Sequence, residues 1–227
     1  MIYSLLQRQK RIVTRFRLPY TSEQVYVMLT EACRVEVNNR FRKFILTKEF
    51  ELHLRDIATW LTSKDSTFGL FLCGGAGNGK TTILHALQNL TYLLRKNEPK
   101  ENYPMLPIRG FRIISAKDLV RIAKAFNNQT KENIEDATTY HQIANSEILA
   151  IDDLGTEPRE SIHYGDFITA AIDIITHRYE QQYCTLISSN LAATEIATYY
   201  DERIADRFRE MMKIINFGSE KSFRKII

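Results

Sequence analysis

One stretch decides the fold of this 227-residue chain: Gly74-Gly75-Ala76-Gly77-Asn78-Gly79-Lys80-Thr81, followed by Thr82. It has the pattern G-x-x-x-x-G-K-T and lies between an apolar stretch, 68–73, and an amphipathic one, 80–95. Glycines let the backbone turn so that successive N–H groups point at phosphate oxygens, and the following helix adds its positive end. The pattern predicts a strand, a phosphate-binding loop and a helix, and therefore binding of a nucleoside triphosphate, with ATP as the expected ligand.

Two side chains of this stretch are predicted to contact the phosphates and their metal ion. Lys80 is expected to reach the β and γ phosphates, and the Thr81 hydroxyl to bind Mg²⁺. A glycine-rich turn with a chance Lys-Thr pair is the alternative interpretation. The flanking strand and helix favour the binding site over that alternative.

A pair of carboxylates follows a second apolar strand, predicted at 148–151. An NTPase needs one acid to hold Mg²⁺ and a second group to orient the attacking water. Asp152 is predicted to hold the metal ion and Asp153 to orient the water. A solvated strand end is the alternative, and the glycine-rich stretch upstream favours the catalytic interpretation.

Another strand, predicted at 185–188, ends in Ser189-Asn190. The side-chain amide of Asn190 is predicted to hold the lytic water or to touch the γ phosphate. The alternative is a helix cap for the residues after it, since Ser and Asn favour such turns.

Two arginines further on, Arg203 and Arg207, lie four positions apart and share one helix face. A guanidinium that enters a neighbouring subunit's nucleotide site can stabilise charge in the transition state. The alternative is a surface network with nearby acids, which here are Glu202, Asp206 and Glu210.

From residue 68 onward, short apolar strands alternate with helices, which predicts a parallel α/β sheet. The predicted strands are 68–73, 111–114, 148–151, 185–188 and 214–217, and the predicted helices include 80–95, one capped by Ser115, 132–145 and 164–179. Upstream, helices are predicted after Thr21 and from about Thr47. We therefore divide the chain into a small helical, basic N-terminal segment, 1–63, for contact with a partner or DNA, and an ATPase domain, 64–227.

The order of these motifs resembles the AAA+ ATPases of the DnaC/DnaI helicase-loader and IstB transposition-helper group, over about residues 66–226. The shared features are 74–81, Ile151 to Gly155, Arg178-Tyr179, Ser189-Asn190, the Arg203 and Arg207 helix, and Ser222-Phe223-Arg224. The resemblance implies a P-loop AAA+ three-layer sandwich whose parallel five-stranded sheet has the strand order 5-1-4-3-2.

The resemblance also implies roles for single residues. Asn190 corresponds to the first sensor, and Arg207, or failing it Arg203, to the arginine finger that acts on the neighbouring subunit. Arg224 corresponds to a nucleotide contact near the second sensor. Asp153 stands where many AAA+ proteins have Glu, and its shorter reach implies slow hydrolysis.

Composition excludes some classes and leaves others open. The chain is 44% hydrophobic and 26% charged, with net charge +4, and its three cysteines are far apart. These features, with no apolar run long enough for a bilayer, predict a soluble cytoplasmic protein without a membrane span, a disulfide framework or a zinc site.

Two groups of basic and aromatic residues are candidates for single-stranded DNA contact. One comprises Lys117, Arg121 and Lys124 with Phe126, on the helical pair 115–145 that the resemblance places along a DNA path. The other is the run 39–44. A solvated basic face is the alternative for the first group and an acidic protein partner for the second.

The function that these patterns favour is an ATP-binding and ATP-hydrolysing protein that forms an ATP-dependent homo-oligomer on single-stranded DNA and loads or recruits a replicative helicase. An ATPase helper of a transposase and a nucleotide-switched adaptor with little hydrolysis remain open. A metabolic P-loop kinase is disfavoured, because Ser-Asn and an arginine helix follow the paired aspartates.

Overall fold

The computed structural model describes residues 15–64, 67–97, 110–127, 134–157, 166–218 and 222–223. Its helices are α1 (Ser22–Asn38), α2 (Lys48–Thr62), α3 (Lys80–Asn97), α4 (Ala116–Asn127), α5 (Ile134–Asn145), α6 (Asp166–Glu180), α7 (Ile196–Tyr199) and α8 (Glu202–Met211). Its strands are β1 (Gly69–Cys73), β2 (Arg112–Ser115), β3 (Ile148–Leu154), β4 (Cys184–Ser189) and β5 (Met212–Asn216). Arg224, residues 1–14 and most of the loop expected at 97–110 lie outside the described residues.

The strands form one parallel sheet with the order β2-β3-β4-β1-β5. This is the predicted order 5-1-4-3-2, read from the opposite edge, and the prediction is confirmed. Strands β1 and β4 are buried at every residue, as expected for parallel strands that are covered on both faces. The carboxyl ends of β1, β3 and β4 consequently lie side by side.

Helices cover both faces of the sheet and give the predicted three layers. Successive side chains of β1 point to opposite faces. Leu70 and Leu72 pack in a core with α1, α2 and α3, whereas Phe71 packs in a second core with α4, α6 and α8.

The two N-terminal helices form as their sequence predicts. Thr21 and Gln24 make a reciprocal capping box at the start of α1, and the Thr47 hydroxyl accepts the Phe50 N–H at the start of α2. Buried residues of both helices, such as Leu29 and Leu54, belong to the core that covers one face of the sheet. The functional division at residue 63 stays a prediction, but these helices are packed against the sheet.

The strand boundaries differ from the predicted ones chiefly in β3. Apolar content predicted its end at Ile151, but the strand continues through both aspartates to Leu154. The pairing of β3 with β4 shifts between Ile151 and Leu154, and Asp153 has φ 57°. A β-bulge of this kind redirects a side chain, and here it interrupts the alternation of the strand at Asp153.

Ser115 caps α4 as predicted, accepting the Asp118 N–H at 3.0 Å. No helix among the described residues is long and apolar enough to cross a membrane. The same residues contain no group of three or more His, Cys, Asp or Glu side chains suited to a metal ion.

Candidate nucleotide site

The glycine-rich stretch forms a tight loop between β1 and α3. Gly74, Gly77 and Gly79 have φ values of 117°, 85° and 91°, where glycine is strongly favoured. A Cβ atom at Gly79 would lie 2.9 Å from a ring carbon of Phe50. Gly79 is therefore required both for its backbone conformation and for the close approach of α2.

Lys80 joins two of the predicted site segments. Its side chain is almost fully buried, and its ammonium group donates to the carbonyls of Gly74 at 2.7 Å and Gly75 at 2.5 Å. It also lies 3.3 Å from the Asn190 side-chain oxygen, although the two residues are 110 positions apart. Asn190 does not cap the following helical turn, because the capping position is Ala192. The helix-cap alternative is therefore not realised.

Thr81 and Asp152 are also brought together, as predicted. The Thr81 hydroxyl donates to Asp152 Oδ1 at 3.0 Å, and the Ser188 hydroxyl donates to the same oxygen. Hydroxyl and carboxylate oxygens are the ligands that Mg²⁺ prefers. Sequence reasoning missed Ser188 as a site residue, since its contact depends on the pairing of β4 with β3.

Asp153 occupies the bulge in β3, and both its backbone N–H and its backbone carbonyl are hydrogen-bonded. Its N–H donates to the Ser188 hydroxyl at 2.9 Å, and its carbonyl accepts from the Thr156 N–H and hydroxyl at 3.1 and 2.8 Å. The positive φ of a non-glycine residue is sparsely populated and persists where neighbours hold it. The Asp153 side chain is exposed and lines the same cavity as Lys80 and Asn190.

A cavity of about 700 Å³ lies over this loop. Residues 76–82, Asp153 and Asn190 line it. The cavity is also lined by Val37, Arg40, Arg42, Lys43, Phe44, Ile45, Phe50 and Phe223. Its volume is in the range of sites for cofactor-sized ligands. The N-terminal segment thus supplies a wall of the site, which no motif in the sequence indicates.

Asn78 is the described residue whose environment most clearly calls for a ligand. It is 1% exposed, and neither polar atom of its amide has a hydrogen-bond partner among the described residues. An unpaired buried polar group is costly, so native proteins rarely leave one without a role. Phosphate oxygens held by the loop would provide acceptors, so the residues present fit a nucleotide with its Mg²⁺.

The structure keeps the two candidate arginines away from this cavity. The Arg207 guanidinium donates to the Thr176 hydroxyl, lies 3.8 Å from a Glu180 oxygen and stacks over the Tyr179 ring at 5.4 Å. Arg203 is exposed, with no ion pair to a described residue. The predicted surface network exists, but Arg209 forms it, with Glu202 and Asp206.

The candidate DNA contacts lie on two separate surfaces. Lys117 and Arg121 are exposed on α4, while the Phe126 ring stacks on Tyr140 of α5 with a centroid distance of 4.6 Å. The Lys124 side chain lies outside the described part. In the run 39–44, Phe41 is fully exposed and has φ 55°.

Comparison with known proteins identifies the fold. No protein-family model and no curated protein matches the chain. Among solved structures it is similar to the DnaC helicase loader, with 20% identity and TM-score 0.57 over 76% of this chain and 92% of that one. It is also similar to DnaI, with 20% identity and TM-score 0.55 over 82% and 92%.

A third similar structure is the replication initiator DnaA bound to AMPPCP and single-stranded DNA, with 19% identity and TM-score 0.50 over 76% of this chain and 48% of that one. At such identities the likeness establishes the fold. The chain has the P-loop AAA+ fold of helicase loaders and replication initiators, as its sequence predicts.

The geometry around Asp153 yields a testable prediction. Asp153→Asn keeps the size of the side chain and the hydrogen bonds of the backbone. It removes the negative charge that would orient the water or accept a proton from it. We expect nucleotide affinity within about threefold of the original and turnover reduced about 10²-fold, the scale of a lost general base. Fluorescent-nucleotide titration and phosphate release measure the two quantities. Wild-type turnover in this variant would show that another group performs this role.

Proposed function

We propose that this protein is a slow ATPase of the helicase-loader type, which assembles on single-stranded DNA and recruits a replicative helicase in DNA replication. The observation that carries the proposal is the meeting of Lys80, Thr81, Asp153 and Asn190 around one cavity, with Asp152 hydrogen-bonded to Thr81. These residues come from three segments of the chain, and each has a chemistry that phosphoryl transfer to water requires.

Each side chain has a distinct role in this proposal. Lys80 neutralises the β and γ phosphates, and the Asn78 amide donates to a phosphate oxygen. Thr81 and Asp152, with Ser188 hydrogen-bonded to Asp152, would hold Mg²⁺, which would withdraw charge from the phosphate oxygens. Asp153 orients the attacking water.

Asn190 is the remaining group beside the phosphates. Its amide oxygen lies 3.3 Å from the Lys80 ammonium, so a movement of that lysine would change this contact. We propose that Asn190 contacts the γ phosphate or the lytic water, as the first sensor of the AAA+ fold does.

The base and ribose are proposed to lie against the N-terminal segment. Val37, Phe44, Ile45 and Phe50 line the cavity with apolar surface suited to a base. Phe44 and Phe50 are also in edge-to-face contact, with ring centroids 6.2 Å apart. Residues 15–63 thus contribute to the nucleotide site as well as to partner or DNA contact.

We propose Arg203 as the residue that acts on the neighbouring subunit's nucleotide. Arg207 is engaged within its own chain and its side chain is only 15% exposed, whereas Arg203 is exposed on α8 and forms no ion pair with a described residue. ATP-dependent oligomerisation follows, since each site is completed by a second copy.

DNA contact is proposed through Lys117 and Arg121 on the outer face of α4. The support is their exposure here and the presence of single-stranded DNA in the structure of DnaA that shares this fold. Phe41, with Arg40, Arg42 and Lys43 beside it, is the second proposed contact.

One experiment tests the proposal, namely phosphate release measured across protein concentration, without DNA and with single-stranded or duplex DNA. We expect the rate to rise faster than linearly with protein, because a neighbour completes each site, and single-stranded DNA to increase it severalfold. Added salt should diminish the DNA effect, because phosphate contacts release counterions.

The other outcomes favour other functions. Stimulation by duplex DNA alone would favour a transposase helper. A rate that is linear in protein and indifferent to DNA would contradict the loader proposal and favour a nucleotide-switched adaptor.

A further inference from the structure

A buried glutamate joins the end of β3 to the segment before α8. Glu157 is 3% exposed, and one of its carboxylate oxygens accepts the Gly155 N–H at 2.8 Å. The Tyr200 hydroxyl donates to the other oxygen. The neighbouring Tyr199 hydroxyl donates to the Gly155 carbonyl at 2.8 Å. Three side chains thus bind the loop after the paired aspartates to the start of the arginine helix.

The described groups that contact the Glu157 carboxylate are neutral donors. Among the described residues, no Lys or Arg lies within ion-pair distance of Glu157. Burial removes the hydration of this carboxylate, and the two hydrogen bonds replace it in part. Burial and the adjacent carboxylate raise the pKa of Tyr200, so its hydroxyl stays protonated and remains a donor.

At one end, the hydrogen bonds of Glu157 and Tyr199 to Gly155 reach the edge of the sheet that carries Asp153 and Asn190. Gly155 is two residues after Asp153, and a Cβ atom at Gly155 would lie 2.6 Å from a side-chain carbon of Leu191. Leu191 directly follows Asn190, and the Ser189 hydroxyl donates to the Leu154 carbonyl at 2.6 Å. A shift of the Asp153 turn therefore disturbs the Asn190 turn and Gly155 together.

On the other side, the connection reaches α8. Tyr200 directly precedes Asp201, whose carboxylate accepts the Ile204 N–H at 2.7 Å and caps the helix. Arg203 lies in the first turn of that helix. The position of Tyr200 therefore sets where the helix, and its exposed arginine, begins.

We infer that Glu157, Tyr199 and Tyr200 are positioning residues that fix α8 relative to the Asp153 and Asn190 turns. A change at a protomer's own nucleotide site then changes the position of Arg203, the arginine that this protomer presents to its neighbour. This inference rests on the proposed trans-acting role of Arg203. The buried Glu157 carboxylate then links the Asp153 turn, which belongs to the protomer's own site, to α8, which contributes to the neighbour's site.

The test separates effects on a protomer's own site from effects on its neighbour's. Tyr200→Phe removes one hydroxyl and keeps the ring. We expect this variant to bind nucleotide within about twofold of the original but to hydrolyse about tenfold more slowly, because the neighbour's arginine is misplaced. Glu157→Gln, which replaces one of the two accepting oxygens with an NH₂ donor, should behave similarly. Tyr92→Phe, at an exposed tyrosine on α3, is the matched control and should leave both quantities unchanged.

Mixing provides the readout that a purely structural role would not affect. An excess of Asp153→Asn protein, slow at its own site but with α8 intact, should restore hydrolysis at the Tyr200→Phe sites. Rapid hydrolysis by Tyr200→Phe alone, or failure of the mixture to restore it, overturns the inference.

Arg203→Ala distinguishes that failure from failure of the proposed function. If Arg203→Ala is slow and is rescued by the Asp153→Asn protein while Tyr200→Phe is not, only the inference fails. If Arg203→Ala hydrolyses at the original rate, the trans-acting role itself is wrong. Thermal unfolding of each variant, compared with Tyr92→Phe, confirms that the proteins compared are folded.

Discussion

Replacing Lys80 with Ala is expected to abolish nucleotide binding at ordinary concentrations and, with it, all turnover. The ammonium group lies in the centre of the loop, held by the Gly74 and Gly75 carbonyls at 2.7 and 2.5 Å. It therefore lies at the loop that is proposed to hold the β and γ phosphates. Losing one partner of a buried charge pair costs about 2–5 kcal/mol, so we expect affinity to fall about 10²- to 10³-fold.

Titration with a fluorescent ATP analogue, followed by phosphate release, measures this effect. Lys96→Ala is the matched control, because Lys96 is exposed in the last turn of the same helix. The control should bind and hydrolyse as the original does. If Lys80→Ala retained affinity within a few-fold, the loop at 74–81 would not be the phosphate site.

Replacing Arg178 with Met is expected to remove a large part of the protein's stability. The guanidinium is fully buried and donates to the Ile143, Ala144 and Ser146 carbonyls at 3.1, 3.2 and 2.8 Å. It also donates to the Cys184 carbonyl at 2.6 Å and the Thr185 hydroxyl at 2.9 Å.

The position of these acceptors explains why the charge is tolerated. Ile143 and Ala144 lie in the last turn of α5, where unpaired carbonyls and the helix dipole both favour a cation. Burial lowers the pKa of Arg178 to about 10, so the side chain remains charged near neutral pH. Arg178 thereby ties α5 to the start of β4.

Methionine would fill much of the space but provide no donor to these oxygens. Each unsatisfied buried acceptor costs about 1–3 kcal/mol, so a loss of about 3–5 kcal/mol in the free energy of unfolding is a conservative expectation. That is a large share of the roughly 5–15 kcal/mol typical of domains. Arg178→Lys should also be destabilised, since an ammonium cannot reproduce the planar fork.

Urea unfolding monitored by circular dichroism measures the change. Arg209→Met is the matched control, because Arg209 is 59% exposed at its side chain and pairs with Glu202 and Asp206 on the surface. Such exposed pairs are worth about 0–1 kcal/mol, so its midpoint should hardly move. An unchanged midpoint for Arg178→Met would contradict the role assigned to the buried guanidinium.

Local patterns predicted much of the fold and of the phosphate site. Strands, the phosphate loop and most helix starts follow from apolar periodicity, glycine positions and capping residues such as Thr21 and Ser115. These signals act over a few neighbouring residues, so they can be read in one dimension. The meeting of Thr81 with Asp152 was also predictable, because carboxyl ends of parallel strands share one edge.

The bulge at Asp153 was not predictable in the same way. An apolar strand followed by two acids indicates a strand end, and the extension to Leu154 depends on pairing with β4. The contact of Ser188 with Asp152 has the same origin. The environments of Asp153 and Ser188 depend on the pairing of β3 with β4 and not on their neighbours in the sequence.

By itself, then, the sequence determined that this chain forms a P-loop, a parallel sheet and a set of acids at its carboxyl edge. The tertiary structure decided which groups complete that edge: the wall at 37–45, the engagement of Arg207 with α6, and the link from Glu157 to Tyr200. The physical reason is distance along the chain. Glycines, caps and strand periodicity act between near neighbours, whereas these three features arise only when segments far apart in the sequence pack together.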